Sequence, residues 1–312
     1  MNNLPQLLYL APEELTLSDP CLFWAEEPDP DYIQNIDELG QIEPVLVMTQ
    51  GSEKILVAGY KRALALKLLD RKVLALEIPL ADSCIKGMIY LVSNQGQVPD
   101  QAKIIHALRY FASIDHLSEE VWKQLELSPG SKIQRLWQSW LTLPGNWDKL
   151  LSKNNICLEC SQILEQIAPG DLDLLYSFFA DLSWSRGNSI NLLTWLTEKA
   201  GMDRASLSAI IEKLKLEQVL NSGLSPNDKI KSILKSVFQA RYPVLSQLKN
   251  DITQRLGSIS RESGWRMEHK DEFESRDIQI STLITSQKDL EKALSQLEQI
   301  FRSGAFEDWP IK

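Results

Sequence analysis

The sequence predicts an α+β chain: a small α/β domain, a helical domain with a helix-turn-helix, and a small C-terminal α-β-β-α unit. Three observations predict it. Short apolar strands alternate with amphipathic helix over residues 33–78, helical spacing dominates from Asp100 to Lys215, and period-two alternation returns only after Trp265. A length of 312 residues accommodates two or three such domains. The boundaries fall at residues 1–98, 99–220, 221–240 (a linker or helix) and 241–312.

Ile33 to Leu39 reads as a short helix closed by Gly40. Pro44 to Met48 is an apolar strand, Thr49 to Lys54 a polar hairpin turn, and Ile55 to Ala58 a second strand. Tyr60 to Leu69 is a helix whose buried stripe is expected at Leu64 and Leu68 and at Ala65 and Leu69; Val73 to Ile78 is a third strand. The junction Val57-Ala58-Gly59-Tyr60-Lys61-Arg62 carries the chemistry. A strand runs into a glycine and two adjacent cations open a helix, so free N–H groups, the positive end of the helix dipole and two full charges converge on an anion. Gly59 leaves room for a phosphate to approach the backbone. The plain alternative is a surface turn with two solvated cations, because one glycine and two basic residues are a short motif.

The order NIDELGQIEPVLV, ILVAGYKRALALKLL, VLALEIP resembles the N-terminal domain of the ParB family of partition proteins, which shares its fold with sulfiredoxin. The family pattern, approximately S-I-x-x-x-G-x-x-Q-P-x-x-V, a strand, then G-E-R-R-x-x-A, is matched at Ile36, Gly40, Pro44, Val47, Gly59, Arg62 and Ala65. The resemblance implies a bound nucleotide, CTP with Mg²⁺ in the partition proteins, its phosphates held here by Gly59, Lys61 and Arg62. Asn94 joins that set as the one match to a second family motif, E-N-x-x-R, on Ser93-Asn94-Gln95-Gly96-Gln97. Glu43 stands where the family has glutamine, Tyr60 where it has glutamate, and Lys61 where it has its first arginine. In the second motif Ser93 replaces the glutamate and Gln97 the arginine, which by the resemblance removes a magnesium ligand and a bidentate phosphate contact and argues against nucleotide hydrolysis.

Past Pro99 the chain is helical. Gln101 to Phe111 is amphipathic through Ile104, Ile105, Leu108 and Phe111; Leu117 to Gln124 begins with a serine cap; Leu125 to Gly130 is a tight break before Ser131 to Leu141. Two short helices across such a break make a helix-turn-helix, and Ser131, Lys132, Gln134 and Arg135 are the residues placed to reach DNA. This stretch too is similar to the ParB family, in its central domain, at Leu117-Ser118-Glu119-Glu120, Leu125, Leu127-Ser128 and Leu143-Pro144. Trp122 replaces a small residue of that pattern and Glu126 its turn glycine. Charge gives no broad basic footprint: the first hundred residues carry fifteen acids against seven cations, Asp100 to Pro144 carries five of each, and the chain is at −9. Trp122, Trp137, Trp140, Trp147, Trp184 and Trp195 lie among leucines at helical spacing and read as packing residues rather than base-stacking ones.

Four cysteines are too few for a disulfide framework, which together with the lack of a signal peptide or long apolar run predicts a cytoplasmic, non-membrane protein. Cys157-Leu-Glu-Cys160 has a spacing that serves zinc or redox chemistry, but no second such pair exists and His106, His116 and His269 are scattered. We therefore read both as buried or half-buried thiols. Sulfiredoxin chemistry would require a cysteine beside Gly59, and none is near.

After a loop at Asn221 to Asp228, Tyr242 to Leu256 is an amphipathic helix stopped by Gly257. Trp265 and Met267, then Ile278, Ile280 and Ile284, mark two strands, and Ser286 caps a helix through Leu290, Leu294, Leu297 and Phe301 that ends at Gly304. Two strands bury little alone, so pairing across a homodimer is expected. The function expected is that of a non-enzymatic, ParB-like DNA-binding protein of the chromosome or plasmid partition type, a CTP-gated clamp in the resemblance, with a partner ATPase. Two alternatives stand beside it: a nucleotide-dependent phosphotransferase or nuclease on the same fold, with Glu43 as its nearby acid, and a protein-interaction adaptor.

Overall fold

Apolar runs rich in branched residues commit Val45–Gln50 and Glu53–Ala58 to an antiparallel hairpin turned at Gly51, whose φ is +64°, tighter than the expected turn over Thr49 to Lys54. In the computed structural model, which describes residues 6–79, 81–94, 100–263, 265–269 and 278–302, this hairpin lies inside a mixed five-stranded sheet. In chain order the strands are β1 (Gln6–Leu10), β2 (Leu15–Thr16), β3 (Val45–Gln50), β4 (Glu53–Ala58) and β5 (Val73–Glu77), arranged β1-β5-β3-β4-β2. β5 runs parallel to β3, and the chain reaches it by the long crossover a parallel pair needs, through β4 and the helix that follows it. The edges β1 and β2 have no counterpart in the sequence reading, because β1 leaves Leu7 and Tyr9 exposed and β2 spans two residues.

Helix α1 (Pro30–Leu39) is capped by Asp29, which accepts from Tyr32 N, and closed by Gly40 at φ +76°. Helix α2 (Tyr60–Leu68) packs on β3 and β5 through Ala63, Ala65 and Leu66. This corrects the expected stripe, since Leu68 is exposed: alanines allow the short helix to approach the sheet closely and turn the leucine outward. Helix α3 (Ser83–Ser93), which period alone did not mark, covers a cluster of Met48, Ile55 and Val57 with Ile89.

Helix α4 (Gln101–Ser113) locks to α3 where Gly87 faces the rings of Tyr110 and Phe111; a Cβ there would lie 2.4 Å from the Tyr110 ring. Phe23 completes this aromatic cluster, edge-on to Tyr90 at 5.0 Å. The Lys86–Asp19 ion pair, 2.5 Å long with both side chains one-tenth exposed, fastens the segment before Trp24 to α3. Next come α5 (Glu119–Gln124), α6 (Lys132–Leu141), α7 (Asp148–Ser152), α8 (Ser161–Leu164), α9 (Pro169–Ala180) and α10 (Arg186–Asp203). The helical character expected from Asp100 to Lys215 is present. Trp122, Trp137, Trp140, Trp147 and Trp184 are buried, in keeping with a packing role.

The chain divides into two compact units, residues 1–193 and 194–312. In the second, α11 (Leu207–Lys213), α12 (Leu216–Leu220), α13 (Pro226–Arg241) and α14 (Pro243–Ser263) precede a hairpin, β6 (Arg266–His269) and β7 (Ile278–Ser281), and α15 (Gln287–Arg302). Trp195 stacks edge-on to Phe238 at 5.2 Å, and Ile252, Leu256, Met267 and Ile300 form the core between α14, the hairpin and α15. The expected stop at Gly257 is overturned: α14 runs on to Ser263, since glycine within a helix costs only about 1 kcal/mol and the apolar face continues past it at Ile259, packed against the core of Ile252 and Leu256. Gly304 lies outside the described residues. Among the described residues no helix is long and apolar enough to cross a membrane.

Candidate functional site

Gly59 is the N-cap of α2, with φ +94°. Two physical demands select glycine there: that backbone conformation disfavours any L side chain, and a Cβ would lie 2.9 Å from Val45 Cγ1. The first hydrogen bond of the helix is from Ala63 N to Gly59 O, and no side chain caps its start. The N–H groups of the first turn thus face a cleft of about 480 Å³ that Gly59, Lys61, Arg62 and Asn94 all line. That volume lies within the range of small-ligand sites.

The walls are aromatic. Trp24, Tyr32, Tyr60 and Tyr90 border the cleft together with Pro44 and Leu46. Trp24 is held by its indole N–H, which donates to Lys103 O at 2.6 Å, and Tyr90 is buried, which pushes its phenol above the ordinary range. Of the four, only Tyr60 adjoins the Gly59 motif; Trp24, Tyr32 and Tyr90 come from three other segments, and no spacing rule connects them to it.

Both cations of the turn are paired. Lys61 Nζ lies 2.8 Å from Glu26 Oε2, and Arg62 Nη2 donates to Glu43 Oε2 at 2.7 Å while its Nη1 donates to Pro44 O at 3.1 Å. Lys103 Nζ approaches the other oxygen of Glu26 at 3.5 Å. The Lys61 ammonium, and behind it Lys103, hold the Glu26 carboxyl below the usual carboxylate range. The acid that replaces the family glutamine therefore occupies the guanidinium expected to bind phosphate. An incoming anion must displace two carboxylates, both half-exposed or more, so the cost of each displacement is modest. Asn94 closes α3, its amide donating to Tyr90 O at 2.8 Å, which leaves its second N–H and its carbonyl oxygen for a ligand. Gln95, Gly96 and Gln97 lie outside the described residues.

For magnesium, the fit of these residues is poor. Glu26 and Glu43 are committed to ion pairs, and among the described residues no group of three or more His, Cys, Asp or Glu is placed to hold a metal ion. Any Mg²⁺ would have to arrive on the ligand's own phosphates and waters.

The second candidate set lies at the start of α6. Leu125 and Leu127 are buried on either side of Glu126, which takes the left-handed conformation at φ +59°, the geometry for which the family pattern has glycine. Ser131 caps α6 by accepting from Gln134 N at 3.2 Å, and Gln134 Oε1 accepts from Gly130 N at 2.5 Å. Ser131 and Gln134 thus build the turn, whereas Lys132 and Arg135 are exposed and, among the described residues, have no ion-pair partner. Arg109 makes a fork to Asp148, at 3.0 Å through both nitrogens, and donates to the carbonyls of Leu141 and Leu143 at 2.8 Å. It caps the C-terminal end of α6 and fixes its direction, and so leaves the pool of cations available to DNA.

No protein-family model matches the chain, and no curated protein does. Among solved structures, a Pnob8-like ParB-N domain in its C2221 form is similar to it, with 16% identity and a TM-score of 0.34 over 62% of this chain and 91% of that one. A superposition that loose carries no functional conclusion.

Proposed function

We propose that the chain is a ParB-like, non-enzymatic binding protein whose cleft at Gly59 takes a nucleoside triphosphate, CTP first among them, and whose α6 meets DNA. The observation that carries this reading is the uncapped start of α2 inside an aromatic cleft, with Lys61 and Arg62 in its first turn. Aromatic walls suit a base, and the helix start with its two cations suits phosphates. Asn94 would support the ligand from the end of α3. Lys132 and Arg135 would hold DNA phosphates, a small footprint that needs a second copy, joined through residues 241–312, to reach useful affinity. A cytoplasmic setting, a partition role and a partner ATPase belong to the same proposal.

Calorimetric titration with CTP, ATP and GTP, with and without Mg²⁺, tests it. Saturable binding of CTP that is lost in Arg62→Ala supports the reading, and no binding of any nucleotide sinks it. One observation favours a second reading: because Glu26 and Glu43 already neutralise both cations, the cleft is self-complementary and the protein would serve as an adaptor. Dimerisation with no nucleotide or DNA binding would select that reading. A phosphotransferase or nuclease is supported less, since Glu43, its nearest acid, is tied to Arg62.

A further inference from the structure

The helical region holds a second reactive constellation, remote in the fold from the Gly59 cleft. Cys157 has an extended backbone conformation at the start of a short 3₁₀ turn (Leu158–Cys160) that Cys160 closes. Their sulfurs lie 3.5 Å apart, hydrogen-bonded to each other. The hydroxyl of Ser189, a fully buried polar residue, stands 3.4 Å from Cys157 Sγ. Cys160 is fully buried while Cys157 is partly open to solvent. The flanking Glu159 is paired with Arg186 at 3.1 Å, so its charge is partly offset at the rim. One accessible sulfur, a second behind it at near-contact distance and beside the first a buried hydroxyl, itself held by donating to Arg186 O at 3.0 Å, make an arrangement for attack followed by resolution.

We propose that Cys157 and Cys160 form a redox-active dithiol that reduces low-molecular-weight disulfides and closes to an intramolecular disulfide. Cys157 thiolate attacks one sulfur of RSSR, forming the Cys157–SR mixed disulfide and releasing RS⁻. Cys160 then loses its proton and attacks Cys157 Sγ, forming the Cys157–Cys160 bond and releasing the second RS⁻. The two thiol protons leave on two RSH, so the protein is oxidised by two electrons and the small disulfide is reduced by two. Closure requires the sulfurs to approach by roughly 1.5 Å to reach bonding distance.

The electrostatics agree with this order of roles. The hydrogen bond from Cys160, helped by Ser189, brings the Cys157 thiol down to about 7 against the burial that opposes it, and the same bond and burial push Cys160 up. Cys84 is a built-in control, partly exposed as well but raised by burial and by Asp82. Balancing thiolate fraction against nucleophilicity, Cys157 should react at neutral pH at least about five times faster than Cys84, a lower bound because burial raises Cys84 above the ordinary thiol range.

The test uses the full chain incubated with oxidised glutathione, followed by non-reducing peptide mapping. The expected product is a Cys157–Cys160 disulfide; Cys160→Ser traps glutathione on Cys157, and Cys157→Ser yields neither product. Glutathione retained on Cys84 alone, or wild-type protein that keeps both 157 and 160 as free thiols, overturns the proposal. Because serine in the buried position 160 can impair folding, alkylation of the native protein with a maleimide gives a variant-free check. Cys157 must label ahead of Cys84 with half-maximal rate near neutral pH, and equal labelling across that range refutes the assignment.

Discussion

Glu43→Gln is the most informative substitution, because it releases Arg62 and removes a negative charge from the mouth of the cleft in a single isosteric change. The wild-type pair is 2.7 Å long, with Glu43 side chain 73% exposed and Arg62 23% exposed. An ion pair so open to solvent is worth about 0.2–1 kcal/mol, and that is what a phosphate must displace. A phosphate seated on the same guanidinium would lie about 5 Å from the displaced carboxylate, a repulsion of about 1 kcal/mol at near-bulk dielectric. Removing both terms tightens nucleotide binding by about 1–2 kcal/mol, roughly five- to thirtyfold in Kd. Calorimetry at two ionic strengths measures it, and the gain must shrink as salt rises and the Debye length falls to about 10 Å or less. Circular dichroism verifies that the variant is folded. Equal or weaker binding by folded Glu43→Gln would refute the claim that the Glu43–Arg62 pair competes with the ligand, and loss of a Mg²⁺-dependent hydrolysis would favour the enzyme reading.

Four further outcomes follow from other parts of the fold. Gly59→Ala should destabilise the protein by roughly 2–4 kcal/mol, combining left-handed backbone strain with the contact to Val45, and Val45→Ala should recover only the contact part in urea titrations. Lys132→Ala with Arg135→Ala should weaken DNA binding and reduce its log–log salt slope by about 1.8; an unchanged slope removes α6 from the interface. Lys86→Met should cost up to about 3 kcal/mol by leaving the largely enclosed Asp19 carboxylate with the Cys21 amide but no counter-charge, and adding Asp19→Leu should recover much of it. Burial raises the Asp19 carboxyl, but Lys86 and the Cys21 amide outweigh it and the net shift is downward. With the folded value below the unfolded one, the stability from Asp19 is full above the ordinary carboxylate range and lost as pH falls below it. Asp19→Asn should therefore flatten the acid limb of a stability–pH profile.

Local elements were legible where a local rule decides them. The β3–β4 hairpin followed from two apolar runs around a polar turn, α1 from its Gly40 stop, and the Gly59 turn from one residue flanked by a strand and two cations. The edge strands, the register of α2 and the length of α14 were not legible, because each depends on what it packs against. Half of the candidate cleft was in the same position: Gly59, Lys61 and Arg62 are contiguous, whereas Trp24, Tyr32 and Tyr90 meet them only through the Lys86–Asp19 pair, the Phe23 cluster and the packing of α1.

The sequence by itself determined which residues could bear charge, turn the chain or fill a core, since these are properties of a side chain and its near neighbours. Only the tertiary structure decided how those capacities are used. It set Glu26 and Glu43 on the two cations of the turn, took Arg109 from the surface to cap α6, spent Ser131 and Gln134 on the turn itself, and brought Ser189 to Cys157 across 32 positions of sequence. Pairing and desolvation act through space, and a carboxylate three ångströms from a cation changes what that cation can bind whatever their separation along the chain.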